Sequence, residues 1–435
     1  MSAEEPITIL EYDKIQTEKA QKIKKEHLNF EKPEILGLYI DPDGEFRVSY
    51  FVGWIWLETE EGGKIPMRVI PKGGIGVELC MLEECLSVPE IVERMWGRKG
   101  VEKEQIFWIW PEQKPFEVEE IEARPVLLFL VIRFLLLLKD LCARHLRRKF
   151  PRIEDNLSGT LRGRVLVSKN SLYNTVRGRH DRVYCQFQTH SLDTLENQIL
   201  KAALEVSLSY LANRGFESKE LWQMGAFCRN VLSSVTLRRI FPYEFQNLRL
   251  TGNLKPYREP IRLARIILHH LGGEPDPDRW SKKQKILIPP YAINMNALFE
   301  RYCEAKLRKG KIKEIGMLEK LWSGENDIGE NFKVRPDFLF ITSNKEYVIA
   351  DAKYKYDWPD KKEDYREDVY QVAAYASHKY VRKKLGISEN QKLTIYIFYP
   401  TLPKNSNNPK NDQKKIIKDF EPFFTIHPLP VELLK

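Results

Sequence analysis

The sequence predicts a multi-domain α/β chain: a β-rich N-terminal domain over residues 1–120, a mostly helical middle region over 121–285 and a C-terminal α/β core over 286–435. Three observations predict it. The first part carries a long β-branched and aromatic run that ends in a Gly-rich turn. The second carries apolar residues at helical spacing. The third alternates helical stripes with short, continuous apolar runs. At 435 residues the chain has the length for several domains, each with its own core. Hydrophobic residues at 43% and aromatics at 11% are the content of folded protein, which excludes a largely disordered chain.

The elements follow in order. Ile7 to Tyr12 opens a strand, and Arg47 to Leu57 is rich in Val, Ile, Phe and Trp. Glu60-Glu61-Gly62-Gly63 turns that run into Ile65 to Ile70, a hairpin closed by Pro71-Lys72-Gly73-Gly74. Trp54 and Trp56 fall on one face of their strand and are expected to pack in a core. Residues 75–115 have mixed character. From Arg124 to Lys149, Val126, Leu127, Leu130, Val131, Phe134, Leu138 and Leu141 recur at helical spacing, with Arg144 to Lys149 supplying cations near the C-terminal end. A helix apolar over most of its surface is expected to be a buried spine between domains. Leu195 to Ala212 is a further helix, and Gly272-Gly273 begins a linker reaching about Lys285.

In the last part, Asn294 to Lys309 is predicted helical, with Met295, Leu298, Phe299, Tyr302 and Leu307 as apolar contacts. Two apolar runs flanking Thr342-Ser343-Asn344-Lys345 form a predicted β-hairpin. A charged loop, Asp357 to Asp364, precedes a helix from about Tyr365 to Leu385 with the stripe Val369, Val372, Ala373, Ala376, Tyr380. Leu393 to Tyr399 is continuous enough for a central buried strand.

The net charge of +9 suits a polyanionic partner without requiring one. The Arg/Lys stretches at 144–164 and 177–182 fit solvated faces and DNA contacts equally. Six scattered cysteines (Cys80, Cys85, Cys142, Cys185, Cys228, Cys303) form no CxxC pair and no zinc spacing with histidine, so reduced, buried thiols are expected. His269 and His270 are adjacent, point in different directions on a helix and are expected to be structural. Residues 1–25 are polar, and the most apolar stretch, Val126 to Leu138, contains Arg133 and is too short to span a bilayer. A cytoplasmic protein with no membrane association is expected. No Walker A sequence occurs, so no nucleotide-hydrolysing motor is expected in this chain.

Chemistry concentrates in the predicted C-terminal hairpin, Arg335-Pro336-Asp337-Phe338-Leu339-Phe340-Ile341 and Glu346-Tyr347-Val348-Ile349-Ala350-Asp351-Ala352-Lys353. A side-chain period of two puts Asp351 and Lys353 on one face of the second strand, and Asp337 meets them across the pair. Two carboxylates and an ammonium on an apolar hairpin are costly to bury unless something pairs with them, which a divalent metal and a phosphodiester would do. Asp337 and Asp351 are candidate ligands for Mg²⁺ or Mn²⁺, with the backbone carbonyl of Ala352 adding another. Lys353 would hold or deprotonate a water and stabilise developing charge. Glu300, one helix upstream, is a candidate for a further metal ligand or a support to one. Gln371 and Tyr375, four apart on the following helix and away from its apolar stripe, are expected to point at the site or at DNA, and Lys355 and Arg335 are candidate DNA contacts. The layout, with its order helix, strand, strand, helix, strand, resembles a PD-(D/E)xK restriction-endonuclease-like core.

Several segments together resemble one family. Glu154-Asp155-Asn156-Leu157, Leu161-Arg162-Gly163-Arg164 and Asp193-Thr194-Leu195-Glu196-Asn197-Gln198-Ile199-Leu200-Lys201-Ala202-Ala203-Leu204 are similar to the middle region of McrC proteins, the nuclease subunits of modification-dependent McrBC restriction systems. Met295-Asn296-Ala297-Leu298-Phe299-Glu300-Arg301-Tyr302, Arg335-Pro336-Asp337, Asp351-Ala352-Lys353-Tyr354 and Asp368-Val369-Tyr370-Gln371-Val372-Ala373-Ala374-Tyr375-Ala376 are similar to their C-terminal motifs. Val52-Gly53-Trp54-Ile55 and Ile70-Pro71-Lys72 also resemble family segments. The likeness covers most of residues 50–400 in family order. It implies a PD-(D/E)xK endonuclease with catalytic positions Asp337, Asp351, Lys353 and Gln371, acting on double-stranded DNA with Mg²⁺ or Mn²⁺. It also implies a β-rich N-terminal part that docks into a McrB-like hexameric AAA+ GTPase, whose hydrolysis McrC stimulates and which itself reads the modified base. The competing readings are a RecB-like repair or CRISPR-adaptation nuclease and a non-catalytic GTPase-activating, DNA-binding adaptor. Cluster-bearing members of the first need cysteines around the nuclease motifs, and none follows Cys303. The presence of Asp337, Asp351 and Lys353 argues against the second.

Overall fold

The computed structural model describes residues 6–15, 23–24, 28–96, 106–144, 146–213, 218–246, 248–271, 285–323, 336–356, 366–388, 393–401, 418–420 and 424–433. The linker expected from Gly272, the charged loop from Asp357 and Arg335 lie outside the described residues. The chain folds into two compact units, Met1–Val126 with Asp278–Lys435, and Leu127–Pro277.

The first unit begins with β1 (Ile7–Leu10), β2 (Tyr39–Ile40), β3 (Phe46–Arg47), β4 (Phe51–Glu58) and β5 (Lys64–Ile70), then α1 (Val77–Leu86), α2 (Pro89–Trp96), β6 (Phe107–Ile109) and β7 (Phe116–Glu119). The expected hairpin is β4 and β5, antiparallel, with Trp54 opposite Arg68. Trp54 and Trp56 both pack on Phe116, with ring centroids 5.1 and 4.6 Å away. α3 (Glu120–Arg144) follows, and the boundary between the units falls within it. Most of its apolar stretch is buried, from Val126 through Ile132 and at Phe134, Leu135 and Leu138, as its largely apolar sequence requires.

The second unit contains β8 (Arg152–Ser158), β9 (Arg164–Val165), α4 (Val167–Tyr173), β10 (Arg182–Gln188), α5 (Leu195–Asn213), α6 (Lys219–Val231) and α7 (Arg258–Leu271). Besides the expected helices it has a three-stranded antiparallel sheet, ordered β8-β10-β9. The strands were hidden because Arg152 to Ser158 buries no alternating apolar face. A buried polar knot closes the helices of this unit. The Tyr257 hydroxyl donates to Asn197 Oδ1 at 2.7 Å and accepts the Arg147 N–H at 2.6 Å, while Asn197 donates to the Leu192 carbonyl at 2.6 Å.

The chain returns to the first unit through β11 (Lys285–Ile288), β12 (Tyr291–Asn294) and α8 (Met295–Arg308). It then forms β13 (Leu318–Ser323), β14 (Phe338–Thr342), β15 (Tyr347–Ala352), α9 (Arg366–Ser377), α10 (Lys379–Leu385), β16 (Leu393–Thr401), β17 (Lys418–Phe420) and β18 (Phe424–Glu432). β12 inserts between β4 and β6, so the N-terminal sheet reads β1-β5-β4-β12-β6 and is completed from the other end of the chain. Gly53 makes room for it: a Cβ there, at φ +146°, would lie 2.2 Å from the Tyr291 carbonyl oxygen. β12 leads directly into α8, whose Asn294 side chain caps the Ala297 N–H at 3.0 Å.

The second sheet of this unit is six-stranded and mixed, ordered β13-β14-β15-β16-β18-β17. β14 and β15 form the expected hairpin, β15 and β16 run parallel, and α9 and α10 make the crossover between them. Leu339, Ile349, Ile395, Ile397 and Ile426 pack beneath Val369, Val372, Ala376, Val381 and Leu385 of the two helices. The single helix expected to reach Leu385 is two, because His378 takes an extended conformation and starts the second.

Candidate active site

The hairpin register sets the site. Phe338 pairs with Ala350, which carries Asp337 to the level of Asp351 at the same sheet end. The Asp337 Oδ2 accepts the Ala352 N–H at 2.7 Å, locking the carboxylate across the two strands. Lys353 Nζ sits 2.7 Å from Asp351 Oδ2 and donates to Gln371 Oε1 of α9 at 2.8 Å. The backbone N–H of Lys353 donates to the Phe398 carbonyl of β16 at 2.8 Å, which fixes the residue from the other side. Asp337, Asp351, Lys353 and Gln371 are thus brought together, with Ala352 between them.

Electrostatics mark the cluster. Asp351 is 1% exposed, and its Oδ2 makes no hydrogen bond of good geometry despite its ion pair with Lys353. Burial raises the Asp351 carboxyl above its usual range even though Lys353 opposes the shift. Burial also raises Asp337, and the charge of Asp351 adds to it. Glu300, on α8, is pushed well above the carboxylate range by burial and then by Asp337 and Asp351, so it is electrostatically part of the group. Burial alone would lower Lys353, but Asp351 reverses that and leaves its pKa raised, so the ammonium keeps its proton. Fully ionised, three carboxylates against one ammonium would leave an excess of buried negative charge, which a divalent cation would relieve.

Among the described residues no three or more His, Cys, Asp and Glu side chains make a cage for a metal ion. Mg²⁺ does not ask for one, since it is held by one or two carboxylates and fills its shell with water and substrate phosphate. The hard oxygen donors of Asp337 and Asp351, the latter buried with Lys353 as its charge partner, fit such an ion.

Other expected residues stand differently. Tyr375 is 8% exposed and its ring belongs to the core under α9, so it does not stand clear of the apolar stripe as expected. Only its hydroxyl reaches the site, accepting from Gln371 Nε2. Gln371 is exposed. Lys355 pairs with Asp368 Oδ2 of α9 at 2.9 Å. Three participants escaped the sequence reading. Asp368 anchors Lys355, while Arg301 and Glu304 stand within one turn along α8 from Glu300. Glu304 is fully buried and takes ion pairs from Arg94, from Arg301 at 3.2 Å and from Arg308 at 2.8 Å. The spacing Glu300, Arg301, Glu304, Arg308 on one helix was the available signal.

Known proteins share features with this chain. Among solved structures, it is similar to a refined half-complex from a tetradecameric assembly of Thermococcus gammatolerans McrB AAA+ hexamers with bound McrC. That match has a TM-score of 0.42 and 14% identity, covering 98% of this chain and 95% of that one. It is also similar to the cryo-EM structure of the Thermococcus gammatolerans McrBC complex, with a TM-score of 0.31 and 14% identity, covering 71% of this chain and 88% of that one. No curated protein matches it. Among the described residues no helix is long and apolar enough to cross a membrane. The family described as McrBC 5-methylcytosine restriction system component matches residues 111–387, well over half of the chain and including every residue of the site. The chain belongs to the McrBC 5-methylcytosine restriction system component family.

Proposed function

We propose that this chain is the McrC-type subunit of a modification-dependent restriction complex, a PD-(D/E)xK endonuclease that cuts double-stranded DNA with Mg²⁺ or Mn²⁺ and stimulates a McrB-like AAA+ GTPase hexamer. The observation that carries the reading is the junction of Asp337, Asp351 and Lys353 at one end of β14 and β15, with Gln371 completing it from α9. Family membership supports the division of labour, in which recognition of the modified base and the motor belong to the partner.

Asp337 and Asp351 would hold the cation, with the Ala352 carbonyl available beside them. A divalent cation supplies Lewis acidity and offsets phosphate charge. Lys353, held charged at Nζ by Asp351 and oriented by Gln371, would donate to the scissile phosphate or to the attacking water and counter the negative charge that grows as the phosphodiester is hydrolysed. Gln371, itself steadied by the Tyr375 hydroxyl, keeps that ammonium from folding back onto Asp351 alone. Glu300, kept protonated more readily than an ordinary glutamate, would give up its proton when a cation enters.

Asp337→Ala and Lys353→Ala in the full chain are expected to lower Mg²⁺-dependent cleavage of methylated DNA, assayed with the GTPase partner, by at least ~10²-fold. Both should still stimulate GTP hydrolysis. Undiminished cleavage by the two variants would remove these residues from the reaction, and GTP hydrolysis unaffected by the wild-type chain would remove the partner.

A further inference from the structure

Beyond Lys353 the chain continues as an alternating zipper. Lys353 and Lys355 turn toward α9, where they meet Gln371 and Asp368. Tyr354 and Tyr356 turn toward the N-terminal sheet. Tyr354 is buried, its ring lies 5.6 Å from that of Phe299 on α8, and its hydroxyl is 3.3 Å from that of Tyr356. The receiving surface consists of Glu11, at the end of β1, and the turn after β5. Glu11 is fully buried, and one carboxylate oxygen accepts the Lys72 N–H at 2.8 Å. The Tyr354 hydroxyl faces the same carboxyl, and the other oxygen, Oε2, is buried without a hydrogen bond of good geometry. The Tyr356 hydroxyl lies against the backbone of Gly73. The approach there is too close for any side chain: a Cβ on Gly73 would lie 2.4 Å from the Tyr356 hydroxyl oxygen and 2.7 Å from Val77 Cγ2.

A buried carboxyl is costly unless its site requires it, and nothing in the hydrolytic cluster touches Glu11 directly. We propose that Glu11 and Gly73 are positioning residues for Lys353: they grip Tyr354 and Tyr356, and that grip holds the Lys353 ammonium between Asp351 and Gln371. The N-terminal sheet is then a structural part of the hydrolytic site and not only a docking element. The proposal rests on the nuclease reading for its kinetic arm and on the packing alone for its structural arm.

The test uses the full chain and three variants: Gly73→Ala, Gly73→Ala with Tyr356→Phe, and Tyr356→Phe alone. Amide hydrogen exchange is followed at 351–356, Mn²⁺ affinity is measured by calorimetry, and cleavage is resolved into kcat and KM. Gly73→Ala is expected to speed exchange at Lys353 and Lys355 selectively and to lower kcat by ~10- to 100-fold at constant KM, the scale of a ~1 Å misplacement. Adding Tyr356→Phe, which removes the hydroxyl that collides with the new methyl, should recover part of both. A chain that loosens everywhere, or a Gly73→Ala variant with unchanged exchange at 351–356 and unchanged kcat, overturns the proposal. Should Gly73→Ala fail to fold, Tyr356→Phe alone decides, with faster exchange expected at the same two residues but by a smaller factor, and unchanged exchange overturning the proposal. If the wild-type chain neither binds Mn²⁺ nor cuts DNA, the nuclease reading fails, and the exchange data alone judge the grip.

Discussion

Asp337 shows what the site costs the fold. Its carboxyl is raised by burial and by the charge of Asp351, so the folded chain carries a group that would be better solvated in the unfolded one. The Ala352 N–H needs only an acceptor oxygen at that position, and an asparagine supplies one. Asp337→Asn is therefore expected to stabilise the metal-free chain, by about 0.5–2 kcal/mol, and to abolish the rise in melting temperature that saturating Mg²⁺ gives the wild type. Thermal denaturation with and without Mg²⁺ checks both halves. A metal-free variant that melts lower than the wild type would mean that the Asp337 charge is already compensated. Asp337, Asp351 and Lys353 were legible in the sequence because period-two alternation on a hairpin leaves few places for two acids and a lysine. Tyr375 was misjudged since a tyrosine has two faces: its ring fills the core and only its hydroxyl serves the site.

At the scale of elements, α8 does more than flank the sheet. Arg301 and Glu304, both buried, and Arg94 from α2 build an ion cluster on this helix, about one turn from Glu300. Removing one partner from such a cluster leaves a buried charge uncompensated, whereas removing both with apolar replacements is far cheaper. Glu304→Leu is expected to destabilise the chain by ~3–5 kcal/mol, and Arg301→Met in the same chain should restore much of that loss. Equilibrium unfolding of the single and double variants measures the coupling, and additive losses would show that the ions do not act as a group. The helix itself was readable from Asn294 onward, cap included, because its apolar positions follow one stripe. The strand just before it was not. β12 is four residues long, and its partners β4 and β6 lie near the other end of the sequence, so no local pattern announces it. The sheet β8-β10-β9 escaped for another reason: its first strand is mostly exposed and lacks the alternation that marks a half-buried strand.

For the molecule as a whole, the expected division into a β-rich part at 1–120 and a C-terminal α/β core at 286–435 follows the chain order, while the packing joins the two. β12 closes the N-terminal sheet and passes into α8, α1 packs on α8, Glu84 of α1 pairs with Lys309 and Lys311 at 2.8 Å, and Glu11 and Gly73 meet Tyr354 and Tyr356. A segment ending at residue 120 lacks an interior strand of its own sheet, β12, and exposes the edges of β4 and β6, which invites aggregation. A segment starting at 286 carries β12 with no sheet to enter and an α8 stripped of its cover. Each segment expressed alone is expected to be insoluble or to show the rapid proteolysis and fast hydrogen exchange of an unfolded chain. The two produced together should associate into a soluble complex with exchange at Tyr291 to Asn294 slowed to the level of the intact chain. A soluble, slowly exchanging 286–435 fragment that cleaves DNA with Mg²⁺ would show that the nuclease sheet stands without the N-terminal one, and would count against Glu11 and Gly73 as parts of its site.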